Sequence, residues 1–224
     1  MATSLPPGRA AARYSTVAIA LHWAIALLIL YNLTSGLLRA ALPREVFQFH
    51  VSSGITILVL SIVRVGWRLT HRPPPLLEMK TWERRSAHCV HALLYAAILI
   101  LPVSGWALVS AKPPPGSPGA AWSVAHPPAG ASPAPVAAPR AAERPRGPTM
   151  VWGLFKLPLL TPITSIGRTP DGIPTQRALR ARIETFHWLG AWAMLALLVL
   201  HIAGALKHQW IDRQRELARM GIGG

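Results

Sequence analysis

The chain has 224 residues, of which 51% are hydrophobic and 14% are Asp, Glu, Lys or Arg, a charged share too low for an ordinary water-soluble domain of this size. Its 23 Lys and Arg against eight acids give a net charge of +15, but no RNP-like or helix-turn-helix pattern accompanies them, which excludes nucleic acid as a partner. The single cysteine, Cys89, excludes an intrachain disulfide and any Cys-x-x-Cys metal site.

Four segments are long and apolar enough to cross about 30 Å of hydrocarbon, which takes about 20 helical residues. They are expected at 16–38, 50–69, 88–109 and 186–206. Arg9 and Arg13 precede the first, as in a secretory signal, yet its apolar run is long and carries His22-Trp23, so it reads as a retained helix. The expected fold is all-α, an integral membrane four-helix bundle forming one domain over 1–224.

Lys and Arg near the helix ends set the orientation. The N-terminal stretch holds Arg9 and Arg13, the second connection holds Arg64, Arg68, Arg72, Lys80, Arg84 and Arg85, and the C-terminal tail holds Lys207, Arg213, Arg215 and Arg219. The first connection holds only Arg39 and Arg44. Both termini are therefore expected on the cytoplasmic side of the membrane. Within the long third connection, residues 113–148 are dominated by Pro, Ala and Gly and are expected to form a disordered, Pro/Ala-rich periplasmic insertion. Trp152 to Leu160 then turns apolar and aromatic, as at an interface, and Arg177, Arg180 and Arg182 form a short basic helical run before the last span. No repeat recurs at a fixed period.

Six of the nine histidines, His22, His50, His88, His91, His187 and His201, fall within or at the ends of the apolar segments, where an ionisable group is costly and marks function. At about 1.5 Å of rise per residue, His22 and His201 lie at similar depth near the cytoplasmic side, while His50 and His187 open their helices at the other surface. His187 and His201 are two heptads apart, hence on one face of the last helix and about 21 Å apart. One helix then supplies a ligand to each of two layers, and two other helices complete one layer each. That is the layout of two bis-histidine haems stacked in a bundle core, and without a Cys-x-x-Cys-His attachment both are haem b. Zinc would instead want three or four ligands gathered in one place.

The expected iron ligands are His22, His50, His187 and His201, with His91 deep enough to replace either inner ligand. His88 and His208 sit at the inner boundary, facing lipid headgroups or contacting quinone or a propionate, and His71 and His126 are incidental. Gly54, one turn beyond His50, either lets a porphyrin face approach the backbone or serves small-residue packing. Arg64 and Arg68 either neutralise propionates or serve topology. Trp23, Trp67, Trp106, Trp188 and Trp210 read as interface anchors.

The runs Arg13-Tyr-Ser, Leu21-His-Trp, Phe49-His-Val-Ser-Ser-Gly54, Val63-Arg-Val-Gly-Trp-Arg68, Ala87-His-Cys-Val-His-Ala-Leu-Leu-Tyr95, Pro102-Val-Ser-Gly-Trp106 and Leu206-Lys-His208 occur in an order that resembles the bacterial cytochrome b561 family, itself related to hydrogenase cytochrome b subunits. The resemblance covers nearly the whole chain outside the insertion after Lys112, from which the family pattern is free. It implies a di-haem cytochrome of the inner membrane, with axial ligands at His22, His50, His187 and His201. It also implies electron exchange with membrane quinone and, in one branch, oxidation of superoxide at the periplasmic face.

The expected function is thus an electron carrier with no catalytic acid–base residues, and a superoxide:quinone oxidoreductase if superoxide is its donor. Its expected partners are membrane lipid, quinone, and either superoxide or a periplasmic or dehydrogenase electron donor. A cytochrome b subunit of a hydrogenase or other dehydrogenase complex is the alternative, and a haem-free histidine-lined transporter or scaffold the minor one.

Overall fold

A computed structural model describes residues 13–42, 44–71, 74, 80–127, 148–213 and 216–221. Helix α1 runs over Thr16–Leu37, α2 over Arg44–Thr70 and α3 over Thr81–Ser110. A short α4, Pro118–Ala125, precedes a hairpin of β1, Met150–Val151, and β2, Phe155–Lys156. After the single-turn α5, Thr161–Thr164, and two 3₁₀ turns comes the long α6, Ile173–Leu206, which passes through a π-helical turn, Lys207–Ile211, toward α7, Glu216–Arg219.

Four of these helices are long and apolar enough to cross a membrane. Helix α1 packs on α2, α2 on α3 and α3 on α6, and α6 returns to touch α1. The buried apolar core is small: Ile25, Ile29 and Leu33 from α1, Ile57 from α2, Ile98 from α3 and Met194 from α6. Large apolar side chains such as Leu27, Val59, Ile100, Trp188 and Leu200 are exposed on every side, which water would penalise and lipid accepts. Between helices the contacts fall to small polar residues, the pattern expected where lipid is as apolar as the core. Ser53 is wholly buried and accepts a hydrogen bond from Asn32 Nδ2 at 2.8 Å, joining α1 to α2.

Three of the long helices extend beyond their expected apolar spans, because hydropathy marks where hydrocarbon begins and not where a helix ends. Helix α2 starts six residues before His50, α3 starts at Thr81, and Arg177, Arg180 and Arg182 belong to the first turns of α6 itself. Pro102 sits inside an unbroken α3.

The segment expected to be disordered from Pro113 onward takes a defined course as far as Pro127, while 128–147 lie outside the described residues. The reason is local. Ser117 caps α4 by accepting from the Ala120 amide, Pro118 occupies the first helical position where its missing N–H costs nothing, and Trp122 lies under the Arg177 guanidinium at 5.6 Å. Composition alone does not register a cap followed by an aromatic anchor.

At the end of the bundle away from the two termini, the outer end, one segment ties α2 to α3. The hairpin turns through Trp152 and Gly153, both at positive φ, the geometry of a tight antiparallel turn. Trp152 donates its amide to Ser52 Oγ and its indole N–H to Thr56 Oγ1, each at 2.9 Å, and stacks on Phe49. Further on, Pro158 O accepts from Trp106 Nε1 at 2.7 Å, and the Leu160 amide donates to Ser110 Oγ at 3.0 Å.

At the inner end Lys207 Nζ bridges Glu83 and Asp212, at 2.8 and 2.7 Å, and its hydrogen bond holds the Asp212 carboxyl below the usual carboxylate range. Trp23 Nε1 donates to Met220 O at 3.0 Å and Trp67 Nε1 to Ser15 Oγ at 3.1 Å. Three of the five tryptophans read as interface anchors, Trp23, Trp67 and Trp106, therefore spend their N–H groups on tertiary ties.

Ser110 is fully buried and carries the join between α3 and the outer segment. Replacing Ser110 by Ala strands the Leu160 amide and is expected to destabilise the fold by about 1–3 kcal/mol, read as a lower midpoint of thermal unfolding in detergent.

Candidate functional site

The outer pair of rings faces across the bundle from α2 and α6. The centres of His50 and His187 are 6.3 Å apart, with planes at 72°. Each ring is held by a serine on the neighbouring helix: Ser35 Oγ of α1 is 3.1 Å from His50 Nδ1, and Ser104 Oγ of α3 is 2.8 Å from His187 Nδ1. Both hydroxyls also donate one turn back along their own helices, Ser35 to Asn32 O at 3.3 Å and Ser104 to Leu101 O at 2.8 Å. A hydroxyl has one proton, so a serine that gives it to a carbonyl must accept from the imidazole. Nδ1 then carries the ring proton and Nε2 is the unprotonated nitrogen, the form that binds metal.

A glycine follows each serine. A Cβ on Gly36 would stand 3.0 Å from His50 Cε1, and one on Gly105 would stand 3.3 Å from His187 Cε1. Ser-Gly is thus a cradle used twice, the hydroxyl orienting the ring and the missing side chain admitting it.

The inner layer gathers three histidines. His22 of α1 lies 6.2 Å from His201 of α6, at 65°, and His91 of α3 lies 5.2 Å from His201, at 72°. A metal–imidazole bond of about 2.0–2.1 Å, with the ring centre about 1.1 Å behind its nitrogen, sets two rings on opposite sides of one metal about 6.3 Å apart. The His50–His187 and His22–His201 pairs have that separation, and the His91–His201 pair is about an ångström short of it. The donor set therefore fits two bis-imidazole sites. Among the described residues no three of His, Cys, Asp or Glu gather as a metal cage.

The supporting residues expected from sequence are placed as follows. Gly54 faces Asn32 of α1, whose Oδ1 would lie 3.9 Å from an added Cβ, so the close approaches to histidine occur at Gly36 and Gly105 instead. Arg64 is half-buried and donates from Nη1 to Ala18 O at 3.0 Å, one turn from His22. Arg68 lies over the Tyr95 ring at 5.8 Å and lines a groove of about 420 Å³ with Val65, Leu69 and Ala96. His208 Nδ1 contacts Asp212 at 2.7 Å, and His71 and His126 stack on Trp67 and Trp122. Ser35, Gly36, Ser104 and Gly105 escape a reading that looks for ligands alone. Ser-Gly occurs three times in the long helices, at Ser35-Gly36, Ser53-Gly54 and Ser104-Gly105, and only the first and third lie against a histidine, so the dipeptide alone does not mark them.

The sequence pattern describing prokaryotic cytochrome b561 matches residues 13–223. The chain is 24% identical to cytochrome b561 homolog 2 of Escherichia coli over 93% of this chain and 90% of that protein, and 24% identical to cytochrome b561 homolog 1 over 93% and 96%. It is also 31% identical to a probable superoxide oxidase of Yersinia pestis, over 43% of this chain and 58% of that one. Proteins of this family bind b-type haem. Removing the serine hydroxyl in Ser35→Ala or Ser104→Ala is expected to weaken haem retention about 10–100-fold, measured by competition with an apo-globin. Gly66→Ala, whose added Cβ meets nothing within 4 Å, should leave retention unchanged. With its four membrane-length helices and a pattern match running nearly end to end, the chain belongs to the prokaryotic cytochrome b561 family and is a membrane electron-transfer protein.

Proposed function

We propose that the chain holds two b-type haems, one between His50 and His187 and one between His22 and His201, and carries single electrons between them across a bacterial inner membrane. The observation that carries this reading is the ring separation of 6.3 Å in one layer and 6.2 Å in the other. The haem supplies a one-electron change at iron, so the protein needs no nucleophile or acid–base pair. Ser35 and Ser104 fix the outer rings in the ligating tautomer, and the apolar side chains of α1, α3 and α6 exclude water between the layers. His187 and His201 lie 14 residues apart on α6, about 21 Å along the helix, so the two sites sit in opposite halves of the bilayer.

The excess of Lys and Arg in the N-terminal stretch, the second connection and the tail supports cytoplasmic termini, with His50 and His187 toward the periplasm. The donor then arrives at the periplasmic side. Superoxide is the candidate that the likeness to a probable superoxide oxidase favours, with membrane quinone as acceptor. Arg182, exposed near the outer end of α6, would help steer such an anion.

Reduced-minus-oxidised spectra with haem quantification on the purified chain test the ligand set. Two haems per chain are expected, falling to one in His50→Ala and in His22→Ala and staying at two in His91→Ala. A single haem in the unsubstituted protein, or loss on removing His91 but not His22, would sink the assignment. Reduction of a quinone analogue by superoxide with the chain alone tests the donor.

A further inference from the structure

The chain contains an internal two-fold repeat that no fixed period reveals. Advancing α1 by 69 residues lays it on α3: His22 falls on His91, the buried Ile29 on the buried Ile98, Asn32 on Leu101 and Ser35-Gly36 on Ser104-Gly105. Advancing α2 by 137 lays it on α6: His50 falls on His187, Ser53 on Gly190 and the buried Ile57 on the buried Met194. The contacts map as well as the residues. Ser35 holds His50 as Ser104 holds His187, and Ser53 meets Asn32 where Gly190 meets Leu101. The two offsets differ because the third connection is much longer than the first. The helix pairs α1–α2 and α3–α6 are thus parallel repeats about an axis along the membrane normal, an arrangement known among membrane proteins.

The outer layer obeys this symmetry, since His50 and His187 are mates. The inner layer breaks it. The mate of His201 on α2 is Arg64, 14 residues beyond His50 just as His201 is 14 beyond His187. An arginine therefore stands where a fourth inner histidine would complete the repeat. It is half-buried and anchored on Ala18 O at 3.0 Å, one turn from His22, at the register that His201 holds on α6. Among the described residues, the acids nearest the four long helices pair with other bases: Glu83 and Asp212 hold Lys207, and Glu184 pairs with Arg39 one turn outward of His187. Arg39 and Arg182 at the outer end are exposed, so water and salt screen them, whereas the half-buried Arg64 is screened less.

We propose that Arg64 gives the molecule its direction: its fixed positive charge makes the His22–His201 site the better electron acceptor of the two, so that one electron leaves the outer site and comes to rest on the inner one. The outer site loses one electron and the inner gains it, with no bond made or broken. This rests on the two-haem reading above. Arg64 is a positioning residue for charge and not a ligand.

The test is a potentiometric titration of the haem bands of the purified holoprotein. Two components are expected in the unsubstituted chain, and the one removed by His201→Ala alone, with the outer site intact, is the higher. Arg64→Gln should lower that component enough to shift electron sharing at least about ten-fold toward the outer site, about 59 mV for one electron, and leave the other in place. Arg64→Lys, which keeps the charge, should restore most of it. No shift with Gln, an equal shift with Lys, or movement of the lower component would each overturn the proposal. If Arg64→Gln fails to take up haem, Arg68→Glu, one turn along α2, places an opposing charge beside Arg64 and should move the same component downward; an unchanged component again overturns it. A titration with one component sinks the two-haem reading itself, whereas two components insensitive to these changes sink only the role of Arg64.

Discussion

An imidazole has two nitrogens, and in hydrocarbon neither can be left to water. The outer half of this bundle is organised around giving one nitrogen of each outer ring to the protein, the arrangement that suits the other to the metal of the proposed site. The cheapest partner on a neighbouring helix is a serine: it is small enough to let backbones approach, and its hydroxyl can pass its own proton to the carbonyl one turn back. The helix must then come close to the ring, which is why glycine follows serine in both cases. Helix spacing, ring orientation and tautomer are set together by two adjacent residues.

The inner layer solves the same problem differently. No serine–glycine cradle serves it, and three histidines and an arginine share the space that two cradled rings occupy outside. Its order comes from the tail: α7 and the π-helical turn fold beneath α1, with Trp23, Tyr14 and Lys207 making the ties. The buried Arg219 lies over the Tyr14 ring at 5.6 Å and closes this end. The two ends of the bundle are thus held by different segments, the aromatic outer segment through hydrogen bonds on one side and the tail through hydrogen bonds and a charged cluster on the other.

The sequence carries the four spans and the depths of the histidines openly, because both follow from hydrophobicity and a fixed rise per residue. It leaves His91 level with His22 by depth, and the repeat makes the two equivalent in position; the ring separations from His201, 6.2 Å for His22 and 5.2 Å for His91, are what support His22 in the proposed pair. The cradles are harder to see because Ser and Gly are common at helix contacts in lipid, and only their pairing with a particular histidine gives them meaning. The helix extents of α2, α3 and α6 were hidden by their polar ends. The order of 113–127 was hidden by a composition that describes the insertion as a whole and not the capped turns at its start.

The pairing of α1 with α2 and of α3 with α6 also bears on how the molecule is built. Ser35 and Gly36, the residues that seat His50, lie on the same helical hairpin as that ring, so this contact needs nothing from the second half of the chain. The second hairpin brings His187 in the same prepared state. On the proposed ligand set neither half closes a site alone, since each outer ring needs its counterpart from the other. A haem held between them would then fasten the two halves into one protein.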